Sequence, residues 1–101
     1  MAHTYIPPEQ VAAQTAEAFV KELQHRCIDL GAAPRNVAEF LAGRVDICGC
    51  SARNYFRDPG LIQARTLRRI VRTISPDIGV LLRFLGYTPQ DIARFRKGAA
   101  Q

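Results

Sequence analysis

Arg53, Asn54 and Arg57 lie within five positions of one another, and their side-chain types are those that read base edges. Arginine pairs with guanine and asparagine with adenine, each through two hydrogen bonds in the major groove. A good pair discriminates by roughly 1–3 kcal/mol. Ser51, just before them, adds a short hydroxyl that can contact either kind of base. Further along, Arg65, Arg68, Arg69 and Arg72 are spaced to share one face of a helix. Forked guanidinium groups in such a row suit phosphate oxygens, contacts that position a protein on nucleic acid without reading its sequence. Arg44 belongs with this second set.

The charge balance points the same way. From Ser51 to Gln101 there are ten basic residues against three acidic ones, a net of +7, while Met1 to Cys50 has four against six, a net of −2. So one-sided a field suits a polyanion, and nucleic acid is the commonest one. An acidic protein docked on the arginine face is the alternative, and a solvated basic face the plainest reading of all. Tyr55 and Phe56 leave a further choice open, because adjacent aromatics can stack on unpaired bases and so favour RNA or single strands over duplex DNA.

Two other chemistries compete with this one. His25 and Cys27, with Cys48 and Cys50, have the ligand types of a structural zinc site. Their spacing argues against it. On a helix, residues 25 and 27 point about 200° apart, and the usual short gaps between paired cysteines are missing. Free cysteines and no cofactor are therefore expected. Catalysis has no foothold either: there is no glycine-rich phosphate loop, no serine elbow and no recognisable pairing of histidine with a carboxylate. Cys48 and Cys50, close to Arg44 and Arg53, are the most reactive thiols on offer.

Helices must position these groups. A chain of 101 residues, 48 % apolar and 23 % charged, is the size of one globular domain. It divides into a short extended arm over residues 1–8 and a single helical domain over residues 9–101. No apolar run approaches the roughly 18 residues that cross a bilayer, the N-terminus lacks the pattern of a signal peptide, and an odd number of cysteines suits a reducing compartment. A cytoplasmic protein without a membrane partner is expected. Ala12, Ala16, Phe19, Val20, Leu23, Cys27 and Leu30 recur at helical steps and predict a first helix of roughly 20 residues that Gly31 ends. A second opens at Pro34, buries Val37, Phe40 and Leu41, and closes at Gly43. Arg44 to Gly49 reads as a loop that tucks Val45 and Ile47 inward.

Ser51 is the expected N-cap of a short helix over residues 52–57, stopped by Asp58-Pro59-Gly60. Leu67, Ile70, Val71 and Ile74 then form an apolar stripe opposite the arginines. The next helix, opened by Ser75-Pro76-Asp77, is expected to bury Ile78, Leu81, Leu82 and Leu85. Thr88 and Asp91 predict a capping box on the last helix, with Ile92 and Phe95 inward and Arg94, Arg96 and Lys97 outward. The fold class is all-α, a compact bundle of five to six helices.

In Gly49-Cys50-Ser51-Ala52-Arg53-Asn54-Tyr55-Phe56-Arg57-Asp58-Pro59, followed by Thr66-Leu67-Arg68-Arg69-Ile70, the chain resembles the recognition-helix region of λ-repressor/Cro-like helix-turn-helix proteins. Those families share a Gly-apolar-Ser lead-in, an aromatic late in the recognition helix, and a Thr-Leu-x-x-Ile start to the helix that follows. The resemblance spans residues 34–74, with an over-long turn at Arg44 to Gly49. Ala38 and Tyr55 stand 17 positions apart, well beyond the family's spacing between the equivalent alanine and recognition-helix residue. The resemblance implies a non-enzymatic transcriptional regulator that binds double-stranded DNA as a homodimer, similar to the compact regulators of phages, plasmids and bacterial operons. The acidic first helix or the last helix would supply the dimer contact.

Overall fold

The computed structural model describes the backbone of residues 8–99 and the side chains of residues 11–97. Six α-helices and two single turns of 3-10 helix make up this span, and no strand occurs among the described residues. Of the arm expected over residues 1–8, only Pro8 falls within the described residues, where it begins the first helix. No helix of the described residues is long and apolar enough to cross a membrane.

α1 (Pro8–Asp29) is the spine of the core. Phe19, Leu23 and Cys27 follow one another at steps of four and are fully buried. The helix ends as its glycine predicts. Gly31 takes φ 118, a conformation that a Cβ would penalise. The Gly31 N–H then donates to the Ile28 carbonyl at 3.0 Å and the Ala32 N–H to the Cys27 carbonyl at 2.9 Å. These two bonds satisfy carbonyls that the helix would otherwise leave without partners.

α2 (Val37–Val45) follows a 3-10 turn at Pro34–Asn36 and runs past Gly43, which corrects the expected stop. A glycine inside a helix costs about 1 kcal/mol relative to alanine, but it does not end the helix when the residue beyond it is buried. Here Val45 is buried and holds the last turn down. The terminator is Asp46, at φ 58. Its N–H and that of Ile47 both donate to the Ala42 carbonyl. Val45 and Ile47 do turn inward, though from a helix end and a turn and not from a six-residue loop.

α3 (Gly49–Arg57) begins three residues later, after Asp46, Ile47 and Cys48. Ser51 is not its N-cap. Cys48 is: its backbone is extended, at φ −73 and ψ 154, and its Sγ accepts the Ser51 N–H at 3.3 Å. The helix therefore gains a turn over the predicted span, and the connection between α2 and α3 shrinks to three residues.

α4 (Ala64–Thr73) follows a 3-10 turn at Pro59–Leu61, where Asp58 Oδ1 accepts the Gly60 N–H. Ile70 and Ile74 are fully buried, Leu67 and Val71 pack beside them, and all four arginines lie outside. α5 (Ile78–Phe84) is capped by Asp77, whose Oδ2 accepts the Val80 N–H at 3.1 Å. Its core face differs from the expected one. Leu81 is buried with Val80 and Phe84 packed around it, while Ile78 and Leu85 are about half exposed. Phe84 stacks on Phe19 at 4.4 Å between ring centroids. That contact turns the helix, because two overlapping apolar stripes were available and the aromatic one buries the larger side chain.

α6 (Pro89–Ala99) carries the predicted capping box. The Asp91 N–H donates to Thr88 Oγ1, and the Thr88 N–H to Asp91 Oδ2, both at 3.1 Å. Ile92 is buried and the three basic residues are outside, but Phe95 is 48 % exposed and forms a T-shaped pair with Tyr87. Burial of Phe19, Leu23, Leu41, Ile70 and Ile74 holds α1, α2 and α4 together, at about 1.5–3 kcal/mol for each side chain.

Candidate nucleic-acid interface

α3 and α4 both pack on α2, which makes α2 the platform for the two arginine-bearing helices. Ala52 anchors α3 to it with no exposed surface, and Phe56 joins the core from the same helix. Ala52 leaves one long stripe outward: Cys50, Arg53, Asn54 and Arg57, all exposed, at steps of three, one and three. The three candidate base-reading residues of larger size therefore do share a face. Ser51 does not belong to it. It is half-buried, and its Oγ lies 3.1 Å from Cys48 Sγ, so its polar atoms serve the helix start. Tyr55 is half-buried beside it.

The stripe is uneven in its freedom. Arg53 Nη1 lies 3.3 Å from Glu39 Oε1 of α2, and its Nη2 donates to Cys50 Sγ at 3.4 Å. Both members of the ion pair are about half exposed, a setting in which such pairs contribute about 0–1 kcal/mol. Asn54 and Arg57 make no side-chain hydrogen bond among the described residues. Glu39 was invisible as a partner in the sequence, since the i,i+3 and i,i+4 rules apply within one helix and this contact crosses two.

On α4, Arg65, Arg68 and Arg72 are exposed and have no partner among the described residues. Arg69 differs. Its Nη1 donates to the Val45 carbonyl at 3.3 Å, at the end of α2 where the helix dipole is negative. This bond ties the cationic face of α4 to the turn that leads into α3. Arg44, on α2, lies with its guanidinium carbon 4.8 Å from the centre of the Phe40 ring, a cation–π contact that keeps it on the α2 surface. Asp58 is the one acid from Gly49 to Thr73, against six arginines.

The candidate zinc ligands are scattered. Cys27 is buried on α1, His25 is exposed beside it, and Cys48 and Cys50 stand at the start of α3. Among the described residues no group of three or more His, Cys, Asp or Glu side chains is placed to hold a metal ion. The thiols also differ in acidity. Hydrogen bonds from the Ser51 hydroxyl and N–H hold Cys48 below the ordinary thiol range. Burial pushes Cys27 above it, with the Arg44 charge pulling more weakly the other way. Comparison with protein-family models, with curated proteins and with solved structures yields no match to this chain.

Proposed function

We propose that this chain is a DNA-binding transcriptional regulator of helix-turn-helix type, with α3 as the recognition helix. The observation that carries the reading is the exposed stripe Arg53, Asn54 and Arg57 on a helix joined by only three residues to the helix it packs against. Such a pair can lay one helix in a major groove while the other braces it. Ala42 and Ala52, both buried and ten positions apart, support the reading, since small residues let the two helices approach closely. The connection between α2 and α3 is three residues, shorter than the loop expected over Arg44 to Gly49.

Asp46, Ile47 and Cys48 fill the three roles of a Gly-apolar-Ser lead-in: a left-handed residue, an inward apolar one and a cap. Arg65, Arg68 and Arg72 would contact phosphate, and Arg69 would brace the turn. The chain would act as a homodimer, because one short helix gives little affinity alone and symmetric half-sites supply the rest. α6 is the better candidate for the dimer contact, since Phe95 on it and Tyr87 just before it keep 48 % and 40 % of their surface exposed.

Fluorescence anisotropy with a random duplex pool at two salt concentrations tests the proposal. The comparison variant is Arg65→Ala/Arg68→Ala, which avoids the structural bond of Arg69. Wild type should bind at low micromolar or better in low salt, and the double variant should lose most of that affinity while keeping its circular dichroism. An acidic partner protein becomes the better reading if wild type leaves the duplex unbound even at low salt.

A further inference from the structure

Between α1, α5 and α6 lies a cleft of about 550 Å³ that the DNA-binding reading leaves unused. Its apolar surface comes from Ala18, Val80, Ile92 and Ala93, and its charges from Arg83, Arg96 and Asp77. These charges are not equivalent. Asp77 Oδ2 is already committed to the Val80 N–H at 3.1 Å. Arg83 Nη1 donates to the Tyr87 carbonyl at 3.2 Å, which fixes its guanidinium without neutralising it. Arg96 has neither an ion pair nor a hydrogen bond among the described residues, yet its Nη2 lies only 3.5 Å from where a Cβ on Gly79 would stand. Gly79 sits in α5 without a positive φ. Glycine is a poor helix former, so local propensity does not explain it there. A Cβ there would also stand 3.1 Å from Asp77 Oδ2, so its absence makes room for the Asp77 cap and leaves the wall of the cleft flat beneath the Arg96 guanidinium.

We propose that this cleft binds a small organic carboxylate, an apolar body carrying one anionic end. The volume lies within the roughly 300–1,000 Å³ usual for small-molecule sites, and the mix of apolar walls with a few polar groups is theirs too. Two guanidinium groups against one carboxylate leave the polar rim cationic. The planar fork of an unpaired arginine matches a carboxylate through two parallel hydrogen bonds. A compact anion such as phosphate would satisfy the rim but leave the apolar walls to water. A neutral hydrocarbon would do the reverse. Only a molecule with both ends uses the whole surface, and this site does not depend on the DNA-binding reading.

Octanoate is the probe, titrated into the full chain and followed by amide chemical shifts in two-dimensional NMR, with octanol as the uncharged control. The expected result is saturable shifts concentrated at Ala18, Gly79, Val80, Ile92 and Ala93. Octanoate should bind about tenfold more tightly than octanol, the preference expected of one charge-assisted hydrogen-bond pair. Arg96→Gln should erase that preference while retaining the weak octanol shifts. Lys97→Gln, which removes an exposed neighbouring charge outside the cleft, should leave it intact. Shifts scattered over the surface, equal affinity for the two probes, or a preference that survives Arg96→Gln would each overturn the proposal.

Discussion

Under the proposed function Arg53 would have two uses, and its partner Glu39 would decide between them. The pair joins α2 to α3 at 3.3 Å and is about half exposed on both sides. Exposed pairs of this kind contribute little to stability, so the guanidinium can exchange a carboxylate for a phosphate or a base edge. Glu39→Gln should then leave the melting temperature nearly unchanged and tighten duplex binding by roughly two- to fivefold, the free energy of one exposed pair. Weaker binding in that variant would mean that Glu39 orients Arg53 and does not compete for it. Cys27 gives a residue-level prediction about stability. Its folded-state pKa is raised by burial above the ordinary 9.0, so the folded chain keeps a thiol proton that the unfolded chain has lost. The resulting contribution is whole below the ordinary thiol value and is lost as pH climbs through the raised one. Urea unfolding of wild type should therefore weaken more steeply between about pH 8 and pH 10 than that of Cys27→Ala. Parallel pH profiles would show that the thiol is not the group responsible.

The turn between α2 and α3 shows at the scale of elements what the sequence could reveal. The helices α1 and α4 were legible from their regular stripes, and the end of α1 and the start of α6 from strong signals, Gly31 at φ 118 and the Thr88–Asp91 box. The turn was not, because each of its roles is filled by a less favoured residue. An aspartate takes the left-handed position, and a thiol takes the cap that serine usually provides. Ser51 and Gly43, the ordinary signals, stand three positions too late and too early to end either helix. The face of α5 failed for another reason. Ile78, Leu81, Leu82 and Leu85 form a valid stripe, but so do Val80, Leu81 and Phe84, and only the stacking partner Phe19 decides between them. The arginine stripes were legible as surfaces, since charge settles their direction, while the tie of Arg69 to Val45 depends on a contact between distant helices. These roles make the turn testable. Asp46→Gly should be stabilising or neutral, and Asp46→Val should destabilise by about 1–2 kcal/mol, because a β-branched side chain tolerates left-handed backbone far less well than aspartate does. Cys48→Ser should hold the melting temperature and Cys48→Ala should lower it. A Cys48→Ala variant as stable as wild type would remove the cap from the account of why α3 starts where it does.

For the whole molecule the governing quantity is the distribution of charge. A net of +7 after Cys50 and −2 up to it makes α3 and α4 the side that a polyanion would approach, and the proposed binding would depend strongly on salt. That dependence can also count protomers. Each phosphate neutralised on duplex DNA releases counterions and contributes about −0.9 to the slope of log affinity against log salt. Arg65 and Arg68 are exposed and engage nothing else among the described residues, so removing both deletes two contacts per protomer without disturbing the core. If one protomer binds, the slope of Arg65→Ala/Arg68→Ala should be shallower by about 1.8; if a dimer binds, by about 3.6. The proposed homodimer requires the larger value. Sedimentation of the free protein supplies an independent count, and a half-exposed Phe95 at the dimer contact implies that Phe95→Glu shifts both readings to the monomer value together. A dimer in sedimentation with a slope change near 1.8 would mean that only one arginine face of the pair reaches the duplex. That geometry is incompatible with two recognition helices in successive major grooves. A variant whose affinity falls with no change in slope would separate the arginines from phosphate altogether and leave α3 as the only contact surface.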